Sequence, residues 1–245
     1  MLRVIQRPSP NFDERVGVDG PDILIMHYTG MQSCEAAVRR LTDPAARVSS
    51  HYTVDEDGTV YVHVDEAKRA WHAGVSFWRG ETDINSHSVG IEIVNPGHEF
   101  GYRAFPDAQI EAVIELSKGI LSRHRIPARN VIAHSDIAPG RKEDPGELFP
   151  WSRFAGQGIG VWVEAAHVSG DSLAQGAQGE AVAALQHDLS RYGYGIDASG
   201  AFDEHTKAVV IAFQRHFRPA KFDGVVDAET LDLLGRLLAV VEAAA

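Results

Sequence analysis

The stretch PDILIMHYTG, residues 21–30, indicates how this chain folds. Its apolar run from Ile23 to Met26 is unbroken, and a histidine follows it before the glycine at position 30. A short continuous apolar run of this kind is typical of a strand that is buried on both faces of a sheet. We therefore predict a buried strand that carries His27 at its carboxyl end.

Further strand signals lie downstream of this stretch. The segments HYTV and TVYVHV flank an Asp-Gly turn at residues 57–58, which predicts a hairpin. The segment SVGIEIVNPG, residues 88–97, alternates with a period of two. This alternation predicts a strand in which Glu92 faces away from the isoleucines on either side of it.

Helical patterns are interleaved with these strands. The segment DAQIEAVIELSKGILSRH, residues 107–124, has apolar residues at helical spacing. The segment NVIAHSD, residues 130–136, then reads as a short strand ending at His134. Strands that alternate with helices predict an α/β domain with a mixed central sheet flanked by helices.

The last part of the chain has a different composition. Residues 156–178 are rich in Gly, Ala, Gln and Ser and read as a linker, in which Trp162 could pack back onto a domain. Two similar phrases follow, from Gly200 and from Gly224, each with Asp three and Thr six positions after the glycine. Asp203 and Asp227 are therefore predicted N-caps, and we divide the chain into a catalytic domain at 1–155, a linker at 156–178 and a three-helix domain at 179–245.

Charge and cysteine content exclude several classes of function. The chain has 245 residues, and 34 acidic against 23 basic residues give a formal charge of -11. This excess of negative charge argues against nucleic acid or an anionic membrane as a partner. The single cysteine, Cys34, excludes an internal disulfide and lies in a helical pattern, where packing is the expected role.

Position selects among the 12 histidines of the chain. His27 and His134 each lie at the carboxyl end of a predicted strand, where α/β sheets commonly place their sites. Asp144 follows ten residues after His134, in the loop GRKEDPG. Two imidazoles and one carboxylate are a sufficient set of ligands for catalytic zinc, with a fourth position left to water. Spacing alone does not assign the site, because the chain has no HExxH motif.

Five phrases between residues 20 and 151 carry a family resemblance: MHYTG, SSHYTVDEDGTVYVHVDE, AWHAG, SVGIEIVNPG and AHSDIAPGRKEDPG, in this order. They resemble the zinc-dependent N-acetylmuramoyl-L-alanine amidases related to peptidoglycan recognition proteins. The three predicted C-terminal helices resemble the small peptidoglycan-binding module of many cell-wall hydrolases. The resemblance implies a peptidoglycan recognition protein-like fold with muropeptides or peptidoglycan fragments as partners.

The resemblance also implies roles for individual residues. His27, His134 and Asp144 would be the ligands of Zn²⁺. Glu92 would transfer the proton of the attacking water, and Lys142 would stabilise the oxyanion. The implied reaction is hydrolysis of the amide bond between the lactyl group of N-acetylmuramic acid, or of its anhydro form, and L-alanine. The alternative is a recognition protein that binds muropeptides without cutting them.

Two departures from part of the superfamily point to its bacterial branch. Phage amidases and animal recognition proteins of this superfamily have a catalytic tyrosine where this chain has Ser50, and a cysteine ligand where it has Asp144. In the bacterial branch a strand glutamate transfers the proton. These departures therefore support the role of Glu92.

The remaining histidines are assigned as follows. His72, in AWHAG, either lines the substrate groove or forms a hydrogen bond within its glycine-containing turn. His51 is expected to support the sheet. His187, His205 and His216 are expected to be ordinary surface residues of the helical part.

The compartment is a further expectation. The first residues contain no apolar segment of the length that a signal peptide needs, and no apolar run is long enough to span a bilayer. These observations favour a cytoplasmic enzyme that acts on soluble fragments. A wall-binding module instead fits polymeric peptidoglycan in the periplasm, which is the alternative.

Overall fold

The structure is a computed structural model that describes residues 2–166 and 168–243. Met1, at the start of the predicted catalytic domain, His167, in the predicted linker, and residues 244–245, at the end of the predicted helical domain, lie outside the described residues. Within the described residues, eight strands form two sheets. They are β1 Val4–Gln6, β2 Phe12–Glu14, β3 Ile23–Tyr28, β4 Tyr52–Val54, β5 Val60–Val62, β6 Lys68–Ala70, β7 Ser88–Ile93 and β8 Val131–Ala133.

Helices surround the sheets. In chain order they are α1 Cys34–Thr42, α2 Ile84–His87, α3 Gly97–Phe100, α4 Asp107–Arg123, α5 His134–Ile137, α6 Trp151–Ala155, α7 Glu180–Tyr192, α8 Glu204–Phe217 and α9 Ala228–Ala243. Among the described residues, no helix combines the length and apolar character needed to cross a bilayer.

The main sheet has six strands in the order β1-β5-β4-β7-β3-β8, and β2 pairs with β6 in a separate two-stranded sheet. Only the β4–β5 hairpin of the main sheet is antiparallel, so the sheet is mixed. The predicted α/β class, the buried strand β3 and the hairpin are therefore confirmed.

The register of the central strands aligns several polar residues. His27 on β3 lies opposite Glu92 on β7, and Glu92 lies opposite Thr53 on β4. Residues in register on neighbouring strands project from the same face of a sheet. His27 and Glu92 therefore share a face.

The two faces of the sheet carry different helices. Leu24, Met26 and Ile91 pack in one apolar cluster with residues of α4. Ile23 and Ile25 lie on the opposite face and share a cluster with residues of α7, α8 and α9. The C-terminal helices thus cover the same face of the sheet from which His27 projects.

The glycine-Asp-Thr repeat of the helical part has a structural basis. The Asp203 carboxylate accepts a hydrogen bond from the backbone N–H of Thr206, and the Asp227 carboxylate accepts one from that of Thr230, so both N-cap predictions are confirmed. The side chains of Gln186 and Gln214, on the helices that precede the two phrases, accept from the N–H groups of Gly200 and Gly224. Each phrase is therefore tied to the helix before it.

Residues of the predicted linker contact the helical part. Leu173 forms a β-bridge with Val226, and Gln178 forms one with Ala201. Trp162 packs against both apolar clusters, as expected. The chain between the sheet and α7 is therefore held at several points.

Candidate functional site

Three side chains from distant parts of the sequence meet at one edge of the sheet. Nδ1 of His27 lies 2.9 Å from Nδ1 of His134, and each of these atoms lies 3.0 Å from Oδ2 of Asp144. His27, His134 and Asp144 are 1%, 3% and 5% exposed. The structure therefore brings together the three residues that the sequence suggested as metal ligands, in a buried cluster that could hold an ion.

The loop that carries Asp144 is held by its own backbone. The backbone N–H of Ser135 donates to the carbonyl of Asp144 over 3.0 Å, and the N–H of Lys142 donates to the carbonyl of Ala138. Gly146 has a φ of 85°, and a Cβ there would lie 2.3 Å from the hydroxyl oxygen of Tyr102. The loop that carries Asp144 therefore requires glycine at position 146.

Hydrogen bonds on the far side of each imidazole fix its tautomer. Nε2 of His134 lies 3.1 Å from the carbonyl oxygen of Ala73. A carbonyl can only accept, so Nε2 carries the proton of the neutral ring. Nδ1 of His134 therefore presents a lone pair to the cluster.

A longer chain of hydrogen bonds does the same for His27. The hydroxyl of Ser88 donates to the carbonyl of Ile84, so Nε2 of His72, 3.3 Å from that hydroxyl oxygen, must donate to it. Nδ1 of the neutral His72 then accepts from Nε2 of His27 over 3.0 Å. Nδ1 of His27 is left with a lone pair that points to Asp144.

The environment of His27 and His72 lowers the pKa of both imidazoles and so favours their neutral forms. Burial, together with the adjacent His134, lowers the pKa of His27 to about 4, although Asp144 opposes the shift. Burial, followed by the neighbouring His27, lowers the pKa of His72 well below 6.5. Desolvation disfavours the charged imidazolium, so the tautomers derived for His27 and His72 are those of neutral rings.

The cluster fits a divalent metal. Two imidazole lone pairs and a carboxylate oxygen converge without a proton between them, and such an arrangement is repulsive unless a cation lies among them. Zinc–ligand bonds of about 2.0–2.1 Å at tetrahedral angles would place ligand atoms about 3.3 Å apart. The observed 2.9–3.0 Å separations are close to this value.

Two further residues shape the surroundings of His72. A Cβ at Gly90 would lie 2.5 Å from Nδ1 of His72, so the ring lies directly over a glycine of β7. His51 accepts from the N–H of Gly90 and contacts the carbonyl of Lys68, which confirms that it supports the sheet. His72 borders the cavity, as one alternative proposed, but its hydrogen bonds run to His27 and Ser88.

A cavity of about 380 Å³ opens beside the cluster. Its lining includes all of the remaining site residues that the sequence suggested, namely Glu92, Lys142 and His72, together with His134 and Asp144. Trp71, Arg40 and Arg141 add an aromatic ring and two positive charges to its wall. The cavity therefore combines polar and apolar surface next to the cluster.

Glu92 lies in an enclosed environment that alters its acidity. Within the described residues its enclosed Oε2 has no hydrogen-bond partner. Burial, followed by the nearby Asp144, raises the pKa of Glu92 well above 4.5, although Lys142 lowers it. An unpartnered carboxylate oxygen with a raised pKa is the environment that general bases and acids occupy.

The loop from Gly140 orients its charged residues differently. Lys142 is half-buried and borders the cavity with Asp144. Glu143 also touches the cavity wall, but its carboxylate lies 3.4 Å from Arg215 and 3.6 Å from His98. The carboxylate of Glu143 is therefore engaged by Arg215 and His98, whereas that of Asp144 belongs to the cluster.

One expectation about the helical part is wrong. His216 is not a surface residue, because it is 3% exposed and its Nδ1 lies 2.7 Å from Oδ2 of Asp136. His187 and His205 are exposed, as expected. The sequence did carry a signal, since His216 follows Val209 and Phe213 at the spacing of the buried face of α8.

Comparison with known proteins assigns the class. The family described as N-acetylmuramoyl-L-alanine amidase matches residues 18–147, and the family described as a putative peptidoglycan binding domain matches residues 178–234. The chain belongs to the N-acetylmuramoyl-L-alanine amidase family, and is therefore an enzyme that hydrolyses an amide bond.

Individual relatives are similar over most of the chain. N-acetylmuramoyl-L-alanine amidase AmiD of Escherichia coli is 41% identical over 230 residues, which cover 88% of this chain and 82% of the relative. The 1,6-anhydro-N-acetylmuramyl-L-alanine amidase AmpD of Citrobacter freundii is 34% identical over 164 residues, 60% of this chain and 86% of that protein.

Solved structures agree with this assignment. The complex of E. coli AmiD with anhydro-N-acetylmuramic acid-L-Ala-D-γ-Glu-L-Lys has a TM-score of 0.77 at 36% identity and covers 94% of this chain and 98% of AmiD. AmpDh3 of Pseudomonas aeruginosa has a TM-score of 0.75 at 31% identity, with 93% and 95% coverage. Both comparisons include the C-terminal helices as well as the sheet.

Proposed function

We propose that the chain cleaves the amide bond between the lactyl group of N-acetylmuramic acid, in its anhydro form, and L-alanine of peptidoglycan fragments, with zinc held by His27, His134 and Asp144. The observation that carries this proposal is the convergence of Nδ1, Nδ1 and Oδ2 within 3.0 Å beside the unpartnered Oε2 of Glu92. The family membership and the muropeptide bound in the AmiD complex support the choice of substrate.

Zinc, when bound, supplies activation of water at neutral pH and polarisation of a carbonyl group. Residues around the cluster orient the side chains that would bind the ion. The hydrogen bond from His27 to His72 and that from His134 to the carbonyl of Ala73 keep both Nδ1 atoms free of protons. Such outer hydrogen bonds orient metal-binding rings and raise their basicity.

Glu92 carries the proton in the proposed mechanism. Its Oε2 accepts a proton from the water that attacks the lactyl carbonyl carbon, and returns it to the alanine nitrogen as the carbon–nitrogen bond breaks. The products are the free lactyl carboxylic acid and a peptide with a free α-amino group. The absence of another partner for Oε2 among the described residues leaves this atom available for both transfers.

Lys142 stabilises the charge that develops during the attack. It borders the cavity beside Asp144, so its ammonium group can donate to the carbonyl oxygen of the substrate when that oxygen becomes negative. A single donor to such an oxyanion contributes about 3 kcal/mol.

Mass spectrometry of a defined anhydro-muropeptide tests this function. Incubation with the purified enzyme should release the intact stem peptide with a free amino terminus, a chelator should stop the release, and added zinc should restore it. A protein that binds zinc and the muropeptide but leaves the substrate unchanged would instead be a recognition protein, the alternative from the sequence. Release of a peptide cleaved within the stem would contradict the proposed bond.

The division of the chain and its compartment are also proposals. We propose residues 1–155 as the catalytic domain, 156–178 as a linker and 179–245 as a peptidoglycan-binding-like domain. We also propose that the enzyme turns over muropeptides in the cytoplasm; the alternative compartment is the periplasm. The family matches at 18–147 and 178–234 support the division. Fractionation of cells that carry the full native gene tests the compartment, and relative rates on soluble fragments and intact wall test the substrate form.

A further inference from the structure

Two neighbouring residues of α8 contact the segment that carries two of the three cluster residues. This segment, residues 134–147, is called the site loop here; it begins with His134 and includes Asp144. Nδ1 of His216 lies 2.7 Å from Oδ2 of Asp136. Arg215 lies 3.4 Å from Oε1 of Glu143. Helix α8 therefore contacts the site loop at two places, at Asp136 near its start and at Glu143 beside Asp144.

Asp136 is buried, and both oxygens of its carboxylate accept hydrogen bonds. Its carboxylate accepts from the backbone N–H of Ala133 over 2.9 Å, from the hydroxyl of Tyr194 over 2.7 Å and from His216. Asp136 is only 1% exposed. A buried carboxylate needs such donors to offset its desolvation, and two of these three come from the C-terminal helical part. The position of the first turn of α5, which contains His134, therefore depends on that part of the chain.

The second contact of α8 with the site loop is at Glu143. Glu143 lies between Lys142 and Asp144, and its carboxylate is approached by Arg215 from α8 and by His98 from α3. The guanidinium of Arg215 also lies 3.7 Å from Glu147 and stacks over the ring of Phe222. Arg215 is 8% exposed, whereas the side chain of Glu143 is 52% exposed, so the guanidinium reaches Glu143 from the buried side of the contact.

Packing fixes the helix against the loop. The ring of His216 stacks on Trp151, with centroids 3.9 Å apart. A Cβ at Gly140, in the site loop, would lie 3.3 Å from the Cβ of Ala208 on α8. Such close contact leaves little freedom for the loop to move relative to α8.

We propose that Arg215 and His216 are positioning residues for the metal cluster, and that the C-terminal helices act as a scaffold of the active site in addition to any binding of peptidoglycan. This inference rests on the proposed zinc-dependent function. Neither residue borders the cavity, so both act through Asp136 and Glu143 on the placement of His134 and Asp144. Loss of these contacts should leave His134 and Asp144 less firmly positioned for metal binding, although all three metal ligands remain present.

Zinc affinity separates this role from a general effect on folding. The variant His216→Phe keeps the stacking on Trp151 but removes the donor to Asp136, and Tyr194→Phe removes the second donor with less change of shape. We expect a 10- to 100-fold weaker zinc Kd for His216→Phe, by competition with a chelator, a smaller loss for Tyr194→Phe, and a lower kcat with little change in KM. His216→Asn, which retains an N–H near the position of Nδ1, should recover part of the affinity.

The control variant is Leu237→Ala. Leu237 is fully buried on α9, a helix that packs against α7, whereas the site loop packs against α8 through α5. This variant should lower Tm but leave the zinc Kd unchanged. Wild-type zinc affinity and kcat in both His216→Phe and Arg215→Met would overturn the inference while the proposed function stands. A wild-type enzyme that neither binds zinc nor cleaves the muropeptide would overturn the proposed function itself.

Discussion

His27 and His134 are 107 positions apart in the sequence, yet their Nδ1 atoms lie 2.9 Å from each other. The register of the sheet produces this proximity. Met26 on β3 pairs with Ala133 on β8, and each of these residues is followed directly by one of the two histidines. Two parallel strands that end in the same row therefore deliver both imidazoles to the same edge of the sheet.

His72 should control the zinc affinity of the cluster. Replacement by alanine removes the acceptor of the Nε2 proton of His27, so that ring is free to rotate or to adopt the other tautomer. We expect a 10- to 100-fold weaker zinc Kd, measured by chelator competition. His187→Ala, at an exposed site on α7, is the matched control and should bind zinc like the wild type. An unchanged Kd in His72→Ala would show that the chain of hydrogen bonds does not set the tautomer.

Glu92 should be required for turnover but not for metal binding. The change Glu92→Gln removes the proton acceptor and keeps the size of the side chain, so kcat should fall by about 10²- to 10⁴-fold. The zinc Kd should remain near that of the wild type, because Glu92 is not one of the three converging groups. Retention of more than a tenth of the wild-type kcat would contradict its role in proton transfer.

The same variant should not be less stable than the wild type. The enclosed Oε2 of Glu92 has no hydrogen-bond partner among the described residues, and burial disfavours the charged form of its carboxyl group, so the change to an amide removes no favourable interaction of this atom. Urea unfolding of the metal-free proteins at pH 7 should therefore give an equal or higher free energy of unfolding for Glu92→Gln. A clear loss of stability would mean that the carboxylate makes a favourable interaction in the folded state.

Lys142 should affect kcat more than KM. Removal of its ammonium group in Lys142→Ala takes away the donor to the developing oxyanion, which corresponds to about a 10²-fold fall in kcat. Steady-state kinetics on a soluble muropeptide measure this effect. The control is Lys118→Ala, since Lys118 is exposed on α4 and bonds to Gln157 outside the cavity. A rise in KM alone would assign Lys142 to substrate binding.

Glu66 should make the stability of the protein sensitive to acid. Burial by itself would raise the pKa of Glu66, but hydrogen bonds from Arg123, Tyr52 and His124 outweigh it and lower the pKa to about 2. The folded-state pKa lies below the ordinary 4.5, so the ionised Glu66 stabilises the folded protein. This contribution to the free energy of unfolding is complete above pH 4.5 and is lost as the pH falls towards 2.

Replacement of Glu66 by Gln should therefore destabilise the protein by about 1–2 kcal/mol at pH 7. The difference from the wild type should shrink between pH 4.5 and pH 2 in urea unfolding of the metal-free proteins. Glu14→Gln is the control, because Glu14 is an exposed partner of Lys68 and should contribute little. A difference that stays constant down to the lowest pH would contradict the depressed pKa.

Local patterns were enough to predict much of the fold. The apolar run before His27, the turn at residues 57–58 and the glycine-Asp-Thr repeat each depend on neighbours in the sequence, and the structure contains all three features. The position of His27 and His134 at the ends of predicted strands makes them candidates, and the family resemblance implies that they and Asp144 are the metal ligands. Their meeting point depends on the register of β3 and β8, which no local pattern specifies.

Contacts between distant segments were not predictable in this way. The spacing of His216 with Val209 and Phe213 indicates the buried face of α8, but its partner, Asp136, lies 80 positions away in another predicted domain and no local pattern identifies it. The link from His72 to His27 depends on Gly90, since any larger residue there would displace the ring. In both cases the role of a histidine is set by a residue on a different element.

Zinc content of the purified protein, measured per chain by mass spectrometry of the metal, tests the central claim most directly. We expect about one zinc ion per wild-type chain and almost none in the folded variant Asp144→Ala, because two imidazoles alone are an incomplete set. A wild-type protein that takes up no zinc, or an Asp144→Ala variant that retains it fully, would contradict the assignment of His27, His134 and Asp144 as the metal site.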